Sequence, residues 1–189
     1  METLLFTGLS ATGKSTIAKR LANDLGFILF REREILHELA VARGYNRTRE
    51  WITKEGEGVV LRAATAETIA KMQGITGDDG FVVDGSYDKY LPLVLKTAFP
   101  NSRVTVIHIT LEDQEREKRI SGRLGVSIDI AKKEMGLIDG FKRRAGIGEI
   151  IKAADITIKN DRLVENALDQ VISGLEFYGI VSGVSLERR

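Results

Sequence analysis

The sequence predicts an α/β fold in which a parallel β-sheet is covered by helices on both faces. Short runs rich in β-branched and aromatic residues alternate along the chain with longer segments of helical periodicity. The short runs are almost continuously apolar, as expected for strands buried on both faces, and parallel strands need such helical crossovers between them. The chain of 189 residues is long enough to form one domain with its own hydrophobic core.

The order of these elements follows from apolar spacing and from capping residues. We predict strands over residues 4–7, 27–30, 81–84, 104–109 and 156–158. The predicted helices cover residues 14–25, 34–42, 45–74, 89–98, 111–123, 128–144 and 161–175. Thr110 and Asn160 are expected to cap the helices that follow them, and the helical stretch 45–74 should break near Gly56 and Gly58. The tail from Tyr178 has only weak patterning.

Composition limits the classes of function that fit. The net charge of +1 gives no bulk electrostatic argument for binding nucleic acid or an acidic membrane surface. The absence of cysteine excludes disulfides, thiolate metal sites and cysteine nucleophiles. No apolar run approaches the ~20 residues of a membrane span, and the N-terminus lacks a secretory signal, so we expect a cytoplasmic protein. Nothing in the sequence specifies an oligomeric state.

A phosphate-binding motif, G-x-x-x-x-G-K-[ST], lies between the first strand and the first helix. The glycines allow the backbone N–H groups to point at phosphate oxygens, and the following helix directs its positive dipole end at the same oxygens. Lys14 is expected to reach the β- and γ-phosphates, and Ser15 to coordinate Mg²⁺. The predicted nucleotide-binding residues are Gly8, Leu9, Ser10, Ala11, Thr12, Gly13, Lys14, Ser15 and Thr16.

Among proteins with this motif, a kinase of small molecules fits best. A GTPase of the common type needs an Asn-Lys-x-Asp segment, and residues 158–161 (Ile-Lys-Asn-Asp) have these residues in the wrong order. A chain of 189 residues leaves little room for the oligomerisation modules of large ATPases. The helical stretches 45–74 and 111–144 exceed a minimal crossover, so we expect them to bind the acceptor and to form a lid.

Four segments in order resemble the nucleoside monophosphate kinase superfamily: residues 8–15, Asp84-Gly85, the arginine-rich helix 112–123, and residues 146–155 (Gly-Ile-Gly-Glu-Ile-Ile-Lys-Ala-Ala-Asp). Within it, the chain is most similar to a group related to adenylate kinase and dephospho-CoA kinase. The resemblance implies a three-layer P-loop kinase fold with a sheet in the order 2-3-1-4-5. It also implies a kinase domain over residues 1–176, with an acceptor-binding insertion at 31–74 and a lid at 111–144, followed by a tail at 177–189.

Candidate catalytic residues lie at strand ends and on the lid. Asp84 ends the third strand, where a carboxylate can hold Mg²⁺ through water or orient an arginine, although a turn aspartate is the alternative. Arg119 and Arg123 share one helical face with Arg116 and could stabilise the transferring phosphoryl group. The alternative is a solvated face, since Glu112–Arg116 and Glu115–Arg119 have ion-pair spacing. Arg123 lacks such a partner in its helix.

The acceptor should bind after the second strand, where Glu32 and Glu34 lie among arginines. A hydroxyl acceptor benefits from a carboxylate base, whereas a phosphate acceptor needs cations, and this segment offers both. Arg143 or Arg144 and Asp139 are weaker lid candidates by resemblance. Families of this type often have an arginine soon after Asp-Gly, whereas this chain has Ser86-Tyr87-Asp88-Lys89.

The sequence therefore predicts an ATP- and Mg²⁺-dependent phosphotransferase whose favoured acceptor is a nucleoside monophosphate. A kinase of a hydroxyl-bearing metabolite such as dephospho-CoA, with Glu32 or Glu34 as base, is the first alternative. A nucleotide-dependent switch or assembly factor with slow hydrolysis belongs to a different class and needs no acceptor pocket. A nucleic-acid end kinase is a third alternative, which the near-neutral charge disfavours.

Overall fold

The computed structural model describes residues 1–76 and 80–181, and its centre is a parallel sheet of five strands. The strands are β1 (Glu2–Thr7), β2 (Ile28–Arg31), β3 (Phe81–Asp84), β4 (Arg103–Thr110) and β5 (Ile156–Lys159). They are hydrogen-bonded in the order β2-β3-β1-β4-β5, and every pairing is parallel. This confirms the predicted sheet, and it places the motif-bearing strand β1 in the centre.

Nine helices are found in the described residues, and they connect and cover the strands. They are α1 (Lys14–Leu25), α2 (Glu32–Ala42), α3 (Thr48–Glu55), α4 (Glu57–Gln73), α5 (Leu91–Ala98), α6 (Asp113–Leu124), α7 (Ile128–Arg144), α8 (Ile147–Lys152) and α9 (Val164–Phe177). None of them is long and apolar enough to cross a membrane. The predicted break in residues 45–74 occurs at Gly56, and Gly58 lies inside the first turn of α4.

Each face of the sheet has its own hydrophobic core, because neighbouring residues of a strand point to opposite faces. Leu4 and Phe6 of β1 pack with α1 and α9 on one face, whereas Leu5 packs with α4 and α5 on the other. All three side chains are completely buried. This alternation produces three layers, and it places β1 in the sheet between β3 and β4.

The segments predicted to bind the acceptor (31–74) and to form a lid (111–144) have small cores of their own. Trp51 of α3 is buried among residues of α2 and α4, so it is a packing residue and is not exposed to a ligand. Ile120 of α6 packs against Ala131 and Met135 of α7, which joins the two lid helices. Because these cores are separate from the sheet, each segment is a packed unit beside the central layer.

Five helix starts differ from the prediction, and two of them are α3, at Thr48 instead of residue 45, and α5, at Leu91 instead of residue 89. Helix α2 begins two residues early, at Glu32. Thr110 belongs to β4, and α6 starts at Asp113 after Glu112. Asn160 does not cap α9, which starts at Val164, because the Asn160 side chain donates a hydrogen bond to the Thr12 carbonyl instead. Most of the predicted tail, residues 182–189, lies outside the described residues.

Candidate functional site

The phosphate-binding loop has the strand–loop–helix context that its motif requires. It follows β1 and ends at α1, whose first turn has no side-chain cap, so its N–H groups remain available to an anion. At Gly8 a Cβ would lie 2.4 Å from the Ile109 carbonyl oxygen, and at Gly13 it would lie 2.2 Å from Asn160 Nδ2. Both glycines also have positive φ, of 145° and 88°. Neighbouring backbone and side chains therefore exclude any larger residue at both positions.

Lys14, at the start of α1, faces the cleft although only 8% of it is exposed. Burial lowers the pKa of its ammonium group, and the carboxylates of Asp84 and Asp139 oppose this shift. No ion pair to Lys14 is present within residues 1–76 and 80–181. A buried cation beside the uncapped N–H groups at the start of a helix is suited to binding phosphate.

Asp84 ends β3 opposite Phe6 of β1, next to the phosphate-binding loop. Its side chain lines the cleft, and its Oδ1 atom is buried without a hydrogen-bond partner. Ser15, in the first turn of α1, is exposed in the same cleft. The described residues contain no cluster of three acidic or histidine side chains arranged to hold a metal. Ser15 and Asp84 nevertheless fit Mg²⁺, since this ion commonly takes most of its ligands from water and substrate phosphates.

The three arginines of helix α6, which belongs to the predicted lid, have different environments. Arg119 donates to the Asn160 carbonyl at 3.1 Å, and both Arg119 and Arg123 line the cleft. Arg116 is only 1% exposed, so it is a buried structural residue. The ion pairs suggested by sequence spacing do not form, because Arg116 bonds to Asp113 and Asp139, and Glu115 pairs with Lys118.

A buried network joins the lid helices to the phosphate-binding loop. Asp139 of α7 accepts a hydrogen bond from the Ser10 main-chain N–H at 2.9 Å and also contacts the Arg116 guanidinium. Arg116 donates from Nε to the Ser10 carbonyl at 2.7 Å. The main chain of Ser10 is therefore held from both sides, and its N–H is not free for phosphate. Ser10 was predicted to bind the nucleotide, but its main-chain groups hold the loop in shape.

The two glutamates after β2 lie in opposite environments. Glu32 is completely buried, and neither of its carboxylate oxygens has a hydrogen-bond partner. Burial raises the pKa of Glu32 to about 8, and the neighbouring Asp88 carboxylate adds to this shift. Glu34 lines the cleft with 60% of its side chain exposed and pairs with Arg31 at 2.6 Å. Of the two, only Glu34 is accessible from the cleft.

Sequence reasoning missed two residues that contact the loop. Asn160, which we predicted to be a helix cap, donates to the Thr12 carbonyl at 2.8 Å and is 1% exposed. Lys142 of α7 donates to the Gly8 carbonyl at 3.2 Å, next to the predicted candidates Arg143 and Arg144. Arg144 also lines the cleft, where it pairs with Glu57. A polar residue after a strand was the only sequence signal for Asn160, and Lys142 had none beyond its helical register.

These residues surround an open cleft of about 2090 Å³ between helices α6 and α7 on one side and β2, α2 and α3 on the other. Five acidic residues line the cleft, against eleven lysines and arginines: Lys14, Lys19, Arg20, Arg31, Arg33, Arg47, Arg49, Arg119, Arg123, Lys142 and Arg144. The excess of positive charge is local, because the whole chain has a net charge of only +1. Such a cleft concentrates anionic ligands.

Comparison with solved structures agrees with this architecture. The chain is similar to a shikimate kinase from Aquifex aeolicus vf5, with 17% identity and a TM-score of 0.59 over 96% of this chain and 100% of that one. A shikimate kinase from Bacteroides thetaiotaomicron has 14% identity and a TM-score of 0.63 over 92% and 98% of the two chains. A gluconokinase from Sinorhizobium meliloti 1021 has 11% identity and a TM-score of 0.55 over 94% and 93%.

These similarities show that the chain has the three-layer P-loop kinase fold predicted from the sequence. The narrower resemblance to adenylate kinase and dephospho-CoA kinase stays a prediction. A search of curated proteins finds no match. The family model described as an AAA domain matches residues 7–126, which span β1 to α6 and include the phosphate-binding loop and Asp84. Because this match covers more than half of the chain, the protein belongs to the AAA domain family.

Proposed function

We propose that this protein is an ATP- and Mg²⁺-dependent phosphotransferase that moves the γ-phosphoryl group to a small anionic acceptor, with a nucleoside monophosphate as the favoured substrate. One observation supports this most directly. The phosphate-binding loop and Lys14 open into a cleft in which eleven lysines and arginines outnumber the acidic residues. One such loop binds one nucleotide, so the cations on the far wall are left to bind a second anion.

The donor side is formed by the phosphate-binding loop, α1 and the lid. The N–H groups at the start of α1 and the Lys14 ammonium would bind the β- and γ-phosphates, while Ser15 and Asp84 would hold Mg²⁺. The metal ion would supply charge neutralisation between the phosphates. Arg119 and Arg123 line the same cleft and would neutralise the charge on the equatorial oxygens of the transferring group.

The acceptor side is formed by β2 and the helices that follow it. Arg33, Arg47 and Arg49 line the cleft on exposed positions of this wall, and no ion pair to any of them is present among the residues that the structure describes. Arginine binds phosphate through a planar, bidentate fork of N–H donors. A phosphate acceptor is already ionised, so it needs these cations and no protein base.

A hydroxyl-bearing anionic metabolite is the second candidate, and it is favoured by a different observation. The Asp84 Oδ1 atom lies unpartnered in the cleft, within the wall that would face both substrates. A carboxylate in this position can accept the proton of an attacking hydroxyl. The similar structures named shikimate kinase and gluconokinase have the same fold. Glu32 is fully buried, so it would need the acceptor wall to open before it could act as a base.

The first test is an acceptor screen with ATP and Mg²⁺ that measures ADP release for each nucleoside monophosphate, dephospho-CoA, shikimate and gluconate. We expect a large rise in ADP release with one acceptor. The Lys14→Ala variant should lose this rise, because Lys14 would neutralise the β- and γ-phosphates of the donor. Lys133→Ala is the control, since Lys133 is exposed on α7 and does not line the cleft. Slow ADP release that no acceptor changes would contradict the kinase and favour a nucleotide switch.

Once an acceptor is found, the arginine wall can be tested separately. We expect Arg49→Ala to raise the KM for the acceptor at least tenfold and to leave the KM for ATP unchanged, because one charge-assisted contact contributes about 1.5–3 kcal/mol. Lys54→Ala is the matched control on the same helix α3, since Lys54 does not line the cleft. An equal effect on both substrates would place Arg49 outside the acceptor site.

A further inference from the structure

Lys142 lies in the last turn of α7, a helix of the predicted lid, and its side chain reaches the beginning of the phosphate-binding loop. Its ammonium group donates a hydrogen bond to the Gly8 carbonyl at 3.2 Å and lies 5.0 Å from the centre of the Tyr87 ring. The residue is only 4% exposed, yet it lines the nucleotide cleft. A lysine in this position is buried at the place where phosphate is expected.

Lys142 and Lys14 are both buried in the wall of the same cleft, and the positive charge of Lys14 lowers the pKa of Lys142. The nearest carboxylate, Asp139, is already bonded to Arg116 and to the Ser10 N–H. No ion pair to either lysine is found in the described part of the chain. Two buried like charges without a dedicated carboxylate form an unfavourable arrangement, which an anion between them would relieve.

The electrostatics of Lys142 agree with this geometry. Burial and the positive charge of Lys14 place the pKa of Lys142 well below its ordinary value, and Asp139 opposes this shift only in part. Glu32 also faces Lys142, although burial raises the pKa of that carboxyl. In the described residues, Lys142 donates one hydrogen bond, to the Gly8 carbonyl. An ammonium has three donors, so two remain for a ligand.

We propose that Lys142 is a second lysine of the phosphate site, which binds the donor polyphosphate together with Lys14. This inference rests on the proposed function, because it assumes that the loop binds a nucleotide. The polyphosphate would separate the two ammonium groups and accept hydrogen bonds from both. Since Lys142 belongs to α7 and Lys14 to α1, the bound phosphates would also link the lid to the loop.

Isothermal titration calorimetry with MgATP and with inorganic tripolyphosphate tests this proposal on the full chain. We expect Lys142→Met to weaken binding of both ligands at least tenfold, because each loses a buried charge-assisted contact. Tripolyphosphate has no base or sugar, so a weaker affinity for it would assign the effect of the substitution to contacts with the phosphates. Lys133→Met is the matched control on the same helix, since Lys133 is exposed and lies outside the cleft, and we expect it to bind as the wild type.

Thermal denaturation without ligand separates this role from a purely structural one. We expect Lys142→Met to have a Tm equal to or higher than that of the wild type, because methionine removes one of two buried like charges. A structural lysine would instead lower the Tm. Unchanged affinity of Lys142→Met, with binding lost in Lys14→Ala, would overturn the role of Lys142 alone. A wild-type protein that binds neither ligand would overturn the nucleotide site and this proposal together.

Discussion

Replacement of the buried glutamate, Glu32→Gln, should make the protein less sensitive to alkaline pH. Glu32 is completely enclosed at the start of α2, and both of its carboxylate oxygens lack a hydrogen-bond partner. Its pKa is raised from 4.5 to about 8, first because burial disfavours the charge and then because Asp88 and Asp84 lie nearby. The folded state therefore holds a proton that the unfolded state releases near pH 4.5.

The sign and size of the effect follow from this difference in proton binding. Between pH 4.5 and pH 8 the folded protein binds more protons than the unfolded chain, so stability is lost as the pH rises through this range. One pKa unit corresponds to about 1.4 kcal/mol, so the shift from 4.5 to about 8 amounts to about 5 kcal/mol at most. Glutamine carries no ionisable proton, so the variant lacks this loss.

Urea denaturation at pH 5, 6, 7 and 8 measures the prediction. Between pH 5 and pH 8 we expect the wild type to lose about 3–4 kcal/mol of its free energy of unfolding relative to Glu32→Gln. Glu34→Gln is the matched control, because Glu34 is exposed and its surface ion pair with Arg31 is worth about 1 kcal/mol at most. A difference between Glu32→Gln and the wild type that stays constant with pH would refute the reasoning, because Glu32 would then be ionised in the folded protein.

Two further substitutions test the phosphate-binding loop and its support. Gly13→Ala should weaken MgATP binding at least tenfold in calorimetry, because its Cβ would meet Asn160 Nδ2 at 2.2 Å, whereas Gly26→Ala, with positive φ but open space, should lower stability by about 1 kcal/mol and leave binding intact. Equal binding by both variants would contradict the steric argument. Asp139→Asn should cost about 3–5 kcal/mol in urea denaturation, because it removes the buried carboxylate of Arg116 and leaves only the exposed Asp113 as an ionic partner. Asp113→Asn, whose side chain is 70% exposed, should cost about 1 kcal/mol or less. Similar losses would show that Arg116 does not depend on Asp139.

The strands were predictable because they depend on local apolar pattern, and the resemblance to nucleoside monophosphate kinases implied their order. Apolar runs such as residues 81–84 match β3 in both limits, and the helical spacing of residues 14–25 and 128–144 matches α1 and α7 in full. The phosphate-binding loop was also predictable from the sequence, because its own glycines and the helix that starts at Lys14 determine its backbone conformation. Because interactions between residues that are near in the chain determine these elements, the sequence alone predicts them.

The hydrogen-bond partners of polar side chains were less predictable wherever both a local and a distant partner were possible. Asn160 fits a helix cap by type, but its amide bonds to Thr12, 148 positions away in the chain. Arg116 has the spacing of an ion pair with Glu112, but it is buried against Ser10 and Asp139. In each case the distant partner wins because it is buried, and a hydrogen bond that satisfies a buried polar group contributes more than one exposed to water.

By itself, then, the sequence determined the α/β fold, the strand order expected of its relatives and the loop that faces a phosphate. Only the tertiary structure decided which charged residues line the cleft and which are buried behind it. It buried Glu32 and left Glu34 exposed two positions later, and it brought Lys142 rather than Arg143 to the loop. The physical reason is that burial and the approach of distant segments set the electrostatic environment of a charge, and neither quantity is encoded in the spacing of residues along one helix.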